Sequence, residues 1–459
     1  MHTIRSLKEH WGGGTAVVVL FAITLQVLTT VEVADVNLRV SASDLLLPFA
    51  AAWVLWNARK GVPIVPEWRV RHLWIWLAVL TVWMAVALLN GRLQTGEWVR
   101  WGVVNKGLGW LVLLAYFVLG AWISSTFGAP ARERFLKAFL LVGWAVCILS
   151  LFAYALYLHQ VDISRIYAPY DRTRGLFDNP NAFGFAVATF LVLQAPFLRR
   201  RPLFPAPLMF AGMGVALTAL VFSGSRSAWL GLLVGWLALV FLRALRPSDI
   251  VKGAAAALLL GGLLLFGPSQ AQALAARIAA FGYEEPSKTG EGEQIESAAD
   301  KSEQIERTLK RLYITRKNQF TKKGVSTRIA VHREALEAWR SSPVLGLGLG
   351  TFYRMREQKG EGGVTTVHTT VLWLLTETGL VGAALFVGFF VLCARALLRR
   401  EGRREDDPFV LGAFGLLMVL AGASLGTELM YQRHLWFISG LALAIPATAP
   451  APREAARAG

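Results

Sequence analysis

Apolar runs close to the length of a membrane-spanning helix recur along most of this chain, and they constrain its fold more than any other feature. A helix needs roughly 20 apolar residues to cross the hydrocarbon core of a bilayer. Of the 459 residues, 55% are hydrophobic and only 17% are charged, so a water-soluble globule could not bury the apolar surface. The sequence therefore predicts an all-α integral membrane protein with about twelve transmembrane helices. Their predicted positions are 14–34, 42–57, 72–90, 102–124, 135–158, 181–198, 204–222, 226–245, 249–267, 367–397, 408–427 and 434–448.

Clusters of Lys and Arg occupy every second predicted loop. They lie at residues 59–71, 132–137, 199–201, 243–252 and 395–404. Because loops rich in Lys and Arg remain in the cytoplasm, this alternation predicts a multi-pass membrane protein with both termini in the cytoplasm. The expected location is a bacterial inner membrane. The intervening loops are then expected to face the periplasm.

The predicted spans divide the chain into four parts. Spans one to nine occupy 1–267, and a large, partly helical periplasmic loop occupies 268–366. Spans ten to twelve occupy 367–448, and 449–459 form a cytoplasmic tail.

The large periplasmic loop has three predicted parts. Residues 284–323 are polar, acidic first and basic later, and are expected to form a solvated insertion. A helix is predicted over 328–340. Its predicted apolar face consists of Ile329, Leu336 and Trp339. The sequence GLGLGTF at 346–352 is expected to make a flexible, glycine-rich return to the membrane surface.

Composition and spacing argue against several functions. The net charge of +17 comes from short basic clusters between apolar runs, so nucleic acid is not a predicted partner. Both cysteines lie in apolar segments, which disfavours a disulfide framework or a CxxC site. No HxxxH, HExxH or DxD spacing occurs, so neither a metal nor another cofactor is predicted.

Three short motifs rich in polar residues lie at the predicted periplasmic face. They are RTRGLFDNPNAFGF with Arg172, Arg174, Asn179 and Asn181, SGSRSAW with Arg226 and Ser227, and VHTTVLWLLTETG with His368 and Glu377. Arginine suits a diphosphate because its rigid fork of donors matches phosphate oxygens and its charge persists at any relevant pH. Any single interfacial arginine is equally consistent with contact to lipid headgroups or with a loop bridge. The two asparagines also suit a turn and a helix cap.

His368 differs from the other six histidines because it lies at a helix entrance among threonines. A neutral imidazole is the side chain best suited to take a proton from a sugar hydroxyl near neutral pH. An interfacial histidine with no chemical role is the alternative interpretation. Arg328, near the start of the predicted periplasmic helix, is a third candidate for binding an anion.

The order of these motifs resembles the O-antigen ligase and Wzy polymerase superfamily. The resemblance extends from about residue 160 to 390 and includes RIAVHREALEAW and SPVLGLGLGTF. One departure is Thr369, where relatives often have Asn directly after the histidine. Members move a glycan from a polyprenyl-diphosphate carrier to an acceptor on the periplasmic side, without a metal or a nucleotide sugar.

Carried over by residue, the resemblance implies that Arg174, Arg226 and Arg328 bind the donor diphosphate and that His368 activates the acceptor hydroxyl. Asn181, Ser227 and Glu377 are expected to support the site. The predicted partners are an undecaprenyl-diphosphate-linked glycan, lipid A-core as acceptor, and membrane lipids.

Three other functions remain open at this level. A Wzy-type polymerase and a protein O-oligosaccharyltransferase share the same motifs. A twelve-span transporter fits the length, and Glu377 could then belong to a proton relay. The absence of a visible repeat between the two halves, and the gathering of polar motifs at one face, disfavour the transporter.

Overall fold

The computed structural model describes residues 15–33, 36–66, 68, 72–158, 167–168, 172–266, 322–359, 367, 369–398 and 407–444. These residues are mostly helical, which confirms the predicted fold class in its main feature. Within them, five helical segments are long and apolar enough to cross a membrane. These are Leu73–Thr95, Gly102–Leu156, Pro180–Leu198, Ala206–Ser223 and Thr370–Leu398. Nearly all of the polar segment 284–323 lies outside the described residues.

Thirteen helices are present in this part of the chain. They are α1 (Thr15–Thr24), α2 (Leu47–Ala58), α3 (Leu73–Thr95), α4 (Gly109–Leu158), α5 (Pro180–Gln194), α6 (Ala206–Ser223), α7 (Arg226–Phe241), α8 (Pro247–Phe266), α9 (Lys322–Ser341), α10 (Thr351–Gln358), α11 (Thr370–Leu398), α12 (Pro408–Ala423) and α13 (Arg433–Leu443). A π-helical segment, Gly102–Leu108, leads into α4, and short 3₁₀ helices occupy Ala42–Leu46 and Ala195–Leu198. Two small antiparallel sheets pair β1 (Leu28–Val33) with β2 (Val36–Ser41) and β3 (Tyr167–Ala168) with β4 (Arg172–Thr173).

The first predicted span, 14–34, is wrong in its second half. Helix α1 ends at Thr24, and β1 and β2 then form a hairpin in which Leu28 lies opposite Ser41 and Val33 opposite Val36. Four of the six residues in β1 are β-branched, and such side chains favour extended backbone. The hairpin satisfies its backbone polar groups without a helix across this segment.

Two long helices are sharply broken at a glycine. The 50 residues of α4 would make a straight helix about 75 Å long, far longer than the roughly 30 Å core of a bilayer. Gly128, with φ 67° and ψ −156°, divides α4 into two arms that correspond to predicted spans four and five. Gly379, with φ 69° and ψ −173°, divides α11 into a short first arm and a longer second arm. The predicted span 367–397 is therefore not one continuous helix.

Small residues allow the helices to approach closely in the core. A Cβ atom added at Gly120 of α4 would lie 2.3 Å from the carbonyl oxygen of Phe437. One added at Gly440 of α13 would lie 2.1 Å from the carbonyl oxygen of Phe117. Helices α4 and α13 thus meet backbone to backbone, a mode of packing common between membrane helices.

The basic loops meet at one end of the helical bundle. Arg201 lies 3.3 Å from a carboxylate oxygen of Glu133, and the buried Arg132 lies 3.0 Å from one of Asp407. These ion pairs join the loops after predicted spans four and six to the loop before span eleven. The polar motifs lie at the opposite end.

Candidate functional site

The connector between α12 and α13, residues 424–432, joins the second and third motifs. The hydroxyl oxygen of Ser227 lies 2.6 Å from that of Thr427. The Thr370 hydroxyl donates to the Thr427 carbonyl oxygen at 3.0 Å. The N-terminus of α7 therefore lies beside the N-terminus of α11, which begins two residues after His368.

The first motif is joined to the second through Arg172. Its Nε donates to the carbonyl oxygen of Ser223 at 2.7 Å, and its Nη2 donates to the side-chain oxygen of Asn181 at 2.8 Å. The side chain of Asn179 accepts from the backbone N–H groups of Asn181 and Ala182, at 3.0 and 2.8 Å, and caps α5. The cap interpretation is thus correct for Asn179, whereas Asn181 orients a guanidinium.

Two of the three arginines predicted to bind the diphosphate have described side chains. Arg174 is half-buried, with Nη1 3.5 Å from the carbonyl oxygen of Asp178. Arg226 is the first residue of α7 and is exposed. Arg328 lies in α9, but its side chain is outside the described residues, as is His368.

Four charged side chains from distant parts of the chain meet beside the connector, and we call Arg39, Lys106, Asp178 and Glu428 the charged cluster. Arg39 lies 3.2 Å from Asp178 and 3.8 Å from Glu428, and Lys106 lies 3.8 Å from the same Glu428 oxygen. The cluster thereby links the hairpin, the first motif and the connector. In the part of the chain that the structure describes, no group of three or more His, Cys, Asp or Glu side chains is arranged to hold a metal ion.

Glu377 lies against the charged cluster in the first arm of α11. Its carboxylate accepts from the indole N–H of Trp373 at 2.9 Å and from the backbone N–H of Gly350. Trp373 in turn lies under Lys106, whose Nζ is 4.3 Å from the ring centroid. Only 3% of the surface of Glu377 is exposed, so this carboxylate is part of a buried polar network.

The glycine-rich sequence at 346–350 is buried against other backbone, so the expectation of a flexible return is wrong. Its three glycines all have left-handed φ angles, of 71°, 92° and 81°. The N–H of Leu347 donates to the carbonyl oxygen of Thr376 at 2.8 Å. A Cβ atom at Gly348 would lie 2.1 Å from the backbone nitrogen of Gly91 in α3. Glycine is required here because two backbone segments approach closely.

The amphipathic helix α9 buries a face that overlaps the predicted one only in part, since Leu336 and Trp339 are half-buried. Ile329, on the predicted apolar face, is 54% exposed, whereas Val331, Ala335 and Ala338 are buried. The Thr376 hydroxyl donates to the carbonyl oxygen of Ala335 at 3.2 Å. The small side chains of Ala335 and Ala338 allow α9 to lie close to α11.

Comparison with known families bears on the two motifs that follow residue 211. Residues 211–387 match the family model Wzy_C, described as O-antigen ligase. Over this part of the chain, the match supports the O-antigen ligase and Wzy_C superfamily. The match contains the second motif, the glycine-rich sequence and the third motif, so the resemblance predicted from them is confirmed. Comparison with the curated proteins found no match.

The match supports a membrane glycan transferase of the ligase or polymerase kind in general. The charged cluster lies outside the region that matches the family, since Arg39, Lys106 and Asp178 precede it and Glu428 follows it. Sequence reasoning missed these residues as a group. Lys106 carried one available signal, because an ionisable residue within a predicted span is a functional candidate by default.

The connector also contains a phenol beside the buried carboxylates. Burial raises the pKa of Tyr431 well above its usual value, and the Glu428 and Glu377 carboxylates raise it further. The phenol therefore stays protonated at neutral pH and donates to the carbonyl oxygen of Lys106 at 3.3 Å. A phenol that is protonated at neutral pH cannot act as a general base.

Proposed function

We propose that this protein transfers a glycan from an undecaprenyl-diphosphate carrier to lipid A-core on the periplasmic face of the bacterial inner membrane. The observation that supports the proposal best is the path of contacts Ser227–Thr427–Thr370, which sets the N-termini of α7 and α11 side by side. Arg226 begins α7, and His368 precedes α11 by two residues. The proposal therefore takes its phosphate-binding cation and its proton acceptor from residues that lie, in the sequence, at or just before the starts of these two helices.

In the proposed reaction, a hydroxyl oxygen of the acceptor attacks the anomeric carbon of the donor sugar while the bond from that carbon to the diphosphate oxygen breaks. His368 takes the hydroxyl proton as general base. The diphosphate leaves with the electron pair, and Arg174, Arg226 and Arg328 stabilise its developing charge. This single displacement inverts the anomeric configuration and uses no metal ion.

Three further residues support the proposed site through their neighbours. Asn181 holds the guanidinium of Arg172, which fastens the first motif to the second. Ser227 contacts the connector at Thr427. Glu377 holds Trp373 and the glycine-rich backbone.

Reconstitution tests the proposed reaction directly. Purified protein in liposomes that contain the lipid-linked donor and lipid A-core should produce glycosylated lipid A-core, and EDTA should leave the rate unchanged. Movement of the donor across the bilayer without transfer would replace the proposal with a transporter.

A deletion strain separates the ligase from its relatives. Loss of the lipopolysaccharide ladder, with polymer accumulating on its lipid carrier, is the result expected for a ligase. A core that bears a single repeat would instead indicate a Wzy-type polymerase, and an intact ladder would favour a protein acceptor.

A further inference from the structure

We propose that Lys106 is a positioning residue of the transferase: its ammonium group holds the connector, residues 424–432, and thereby the two helix N-termini that Thr427 joins. The inference rests on the proposed function. Lys106 itself lies well before the region that matches the family, within the predicted fourth span.

The ammonium of Lys106 lies in a cage built from two elements. Its Nζ is 4.3 Å from the ring centroid of Trp373, 4.4 Å from that of Tyr431 and 3.8 Å from a carboxylate oxygen of Glu428. The side chain is only 6% exposed. Cation–π attraction and ion pairing both strengthen when water is excluded. Because Tyr431 and Glu428 belong to the connector and Trp373 to α11, one side chain holds these two elements together.

The backbone around Lys106 is shaped to bring it there. Residues Gly102–Leu108 form a π-helical segment, a feature that frequently occurs at functional sites. A Cβ atom at Gly102 would lie only 2.2 Å from the carbonyl oxygen of Leu349, so the segment is seated directly on the glycine-rich sequence. The position of Lys106 is therefore set by close backbone packing.

The connector transmits this placement to the proposed site. Thr427 directly precedes Glu428, and Thr427 contacts both Ser227 at 2.6 Å and Thr370 at 3.0 Å. A shift of the connector would move the N-termini of α7 and α11 relative to each other. Misplacing reacting groups by about 1 Å can cost about 10²-fold in rate.

The first test compares Lys106→Met with Lys106→Arg in purified protein. Lys106→Met should reduce single-turnover transfer by about 10²-fold, with the Kd for the donor and the apparent melting temperature near those of wild type. Lys106→Arg, which keeps the charge, should recover a large part of the rate. The control is Lys252→Met, because Lys252 is exposed and its Nζ lies 5.4 Å from the Phe210 ring, away from the connector. That variant should transfer like wild type.

Chemical rescue distinguishes a positioning role from a purely structural one, because an added cation should restore the transfer rate only in the first case. Lys106→Ala lacks the atoms of propylammonium, so adding propylammonium should raise its transfer rate, whereas 1-propanol should not. Rescue by the cation alone would support the proposal. Equal losses of melting temperature, donor binding and rate, with no rescue, would mean that Lys106 only maintains the fold and would overturn it.

The inference and the proposed function fail in different ways. Wild-type protein that transfers no glycan would refute the proposed function and the inference with it. If the wild type is active and Lys106→Met is equally active, the inference is refuted and the proposed function stands. A Lys106→Met/Glu428→Gln double variant with full activity would also overturn it, since Lys106 would then only neutralise Glu428.

Discussion

Replacing Gly348 by alanine should be strongly destabilising, because two independent costs coincide there. The residue has a φ of 92°, and holding an L side chain in left-handed backbone costs about 1–2 kcal/mol. The new Cβ atom would lie 2.1 Å from the nitrogen of Gly91 and 2.7 Å from the carbonyl oxygen of Ala87, both backbone atoms. Overpacking of this kind costs about 1–3 kcal/mol. Together these effects predict a loss of roughly 2–5 kcal/mol in the free energy of unfolding.

Gly96→Ala is the matched control for this experiment. Gly96 ends α3 with a φ of 75°, but nothing lies within 4 Å of its added Cβ atom, so only the backbone cost of about 1–2 kcal/mol applies. Thermal unfolding of both purified variants, followed by the fluorescence of the 17 tryptophans, measures the difference. If Gly348→Ala melts at the same temperature as Gly96→Ala or higher, the close packing of the glycine-rich sequence on α3 is wrong.

Three further predictions concern topology and chemistry. A cysteine introduced at Ser302 should react with an impermeant reagent applied to intact spheroplasts, whereas one introduced at Arg200 should not. The reason is that the basic clusters alternate along the chain. The reverse labelling pattern would place the proposed active face on the cytoplasmic side. Arg226→Lys should slow transfer by about 10-fold or more, since a point ammonium cannot make bidentate phosphate contacts; Arg200→Lys, at the other end, is the control, and equal turnover by both variants would remove Arg226 from donor binding. His368→Ala should still bind the donor but should transfer the glycan about 10²–10⁴-fold more slowly in single-turnover assays. The control, His72→Ala, should match wild type. Near-normal transfer by His368→Ala would exclude His368 as the general base.

Hydropathy and charge alone determine much of this architecture. The apolar runs predict a mostly helical membrane protein, and the alternation of basic loops predicts which loops share a face. Arg132 and Arg201 meet neighbouring loops at one end, as that alternation requires. The motif around Arg226, the glycine-rich sequence and the motif around Glu377 were sufficient to predict the family, because each motif is a local pattern that can be read without knowing what surrounds it.

Long-range packing decides what hydropathy cannot. A hydropathy window does not distinguish the apolar strand β1 from an apolar helix. Pairing with β2 makes this segment a hairpin. The glycines of 346–350 suggest flexibility when read alone, yet they allow the close approach of Gly91 and Gly102.

The charged cluster is the clearest product of the tertiary structure. Arg39, Lys106, Asp178 and Glu428 are separated by long stretches of sequence, and only Lys106, within a predicted span, carries a local signal of its own. They meet because the helices fold back across the membrane and bring their ends to one face. A buried charge is tolerated only beside an opposite charge, and local sequence does not specify which distant residue will supply that partner.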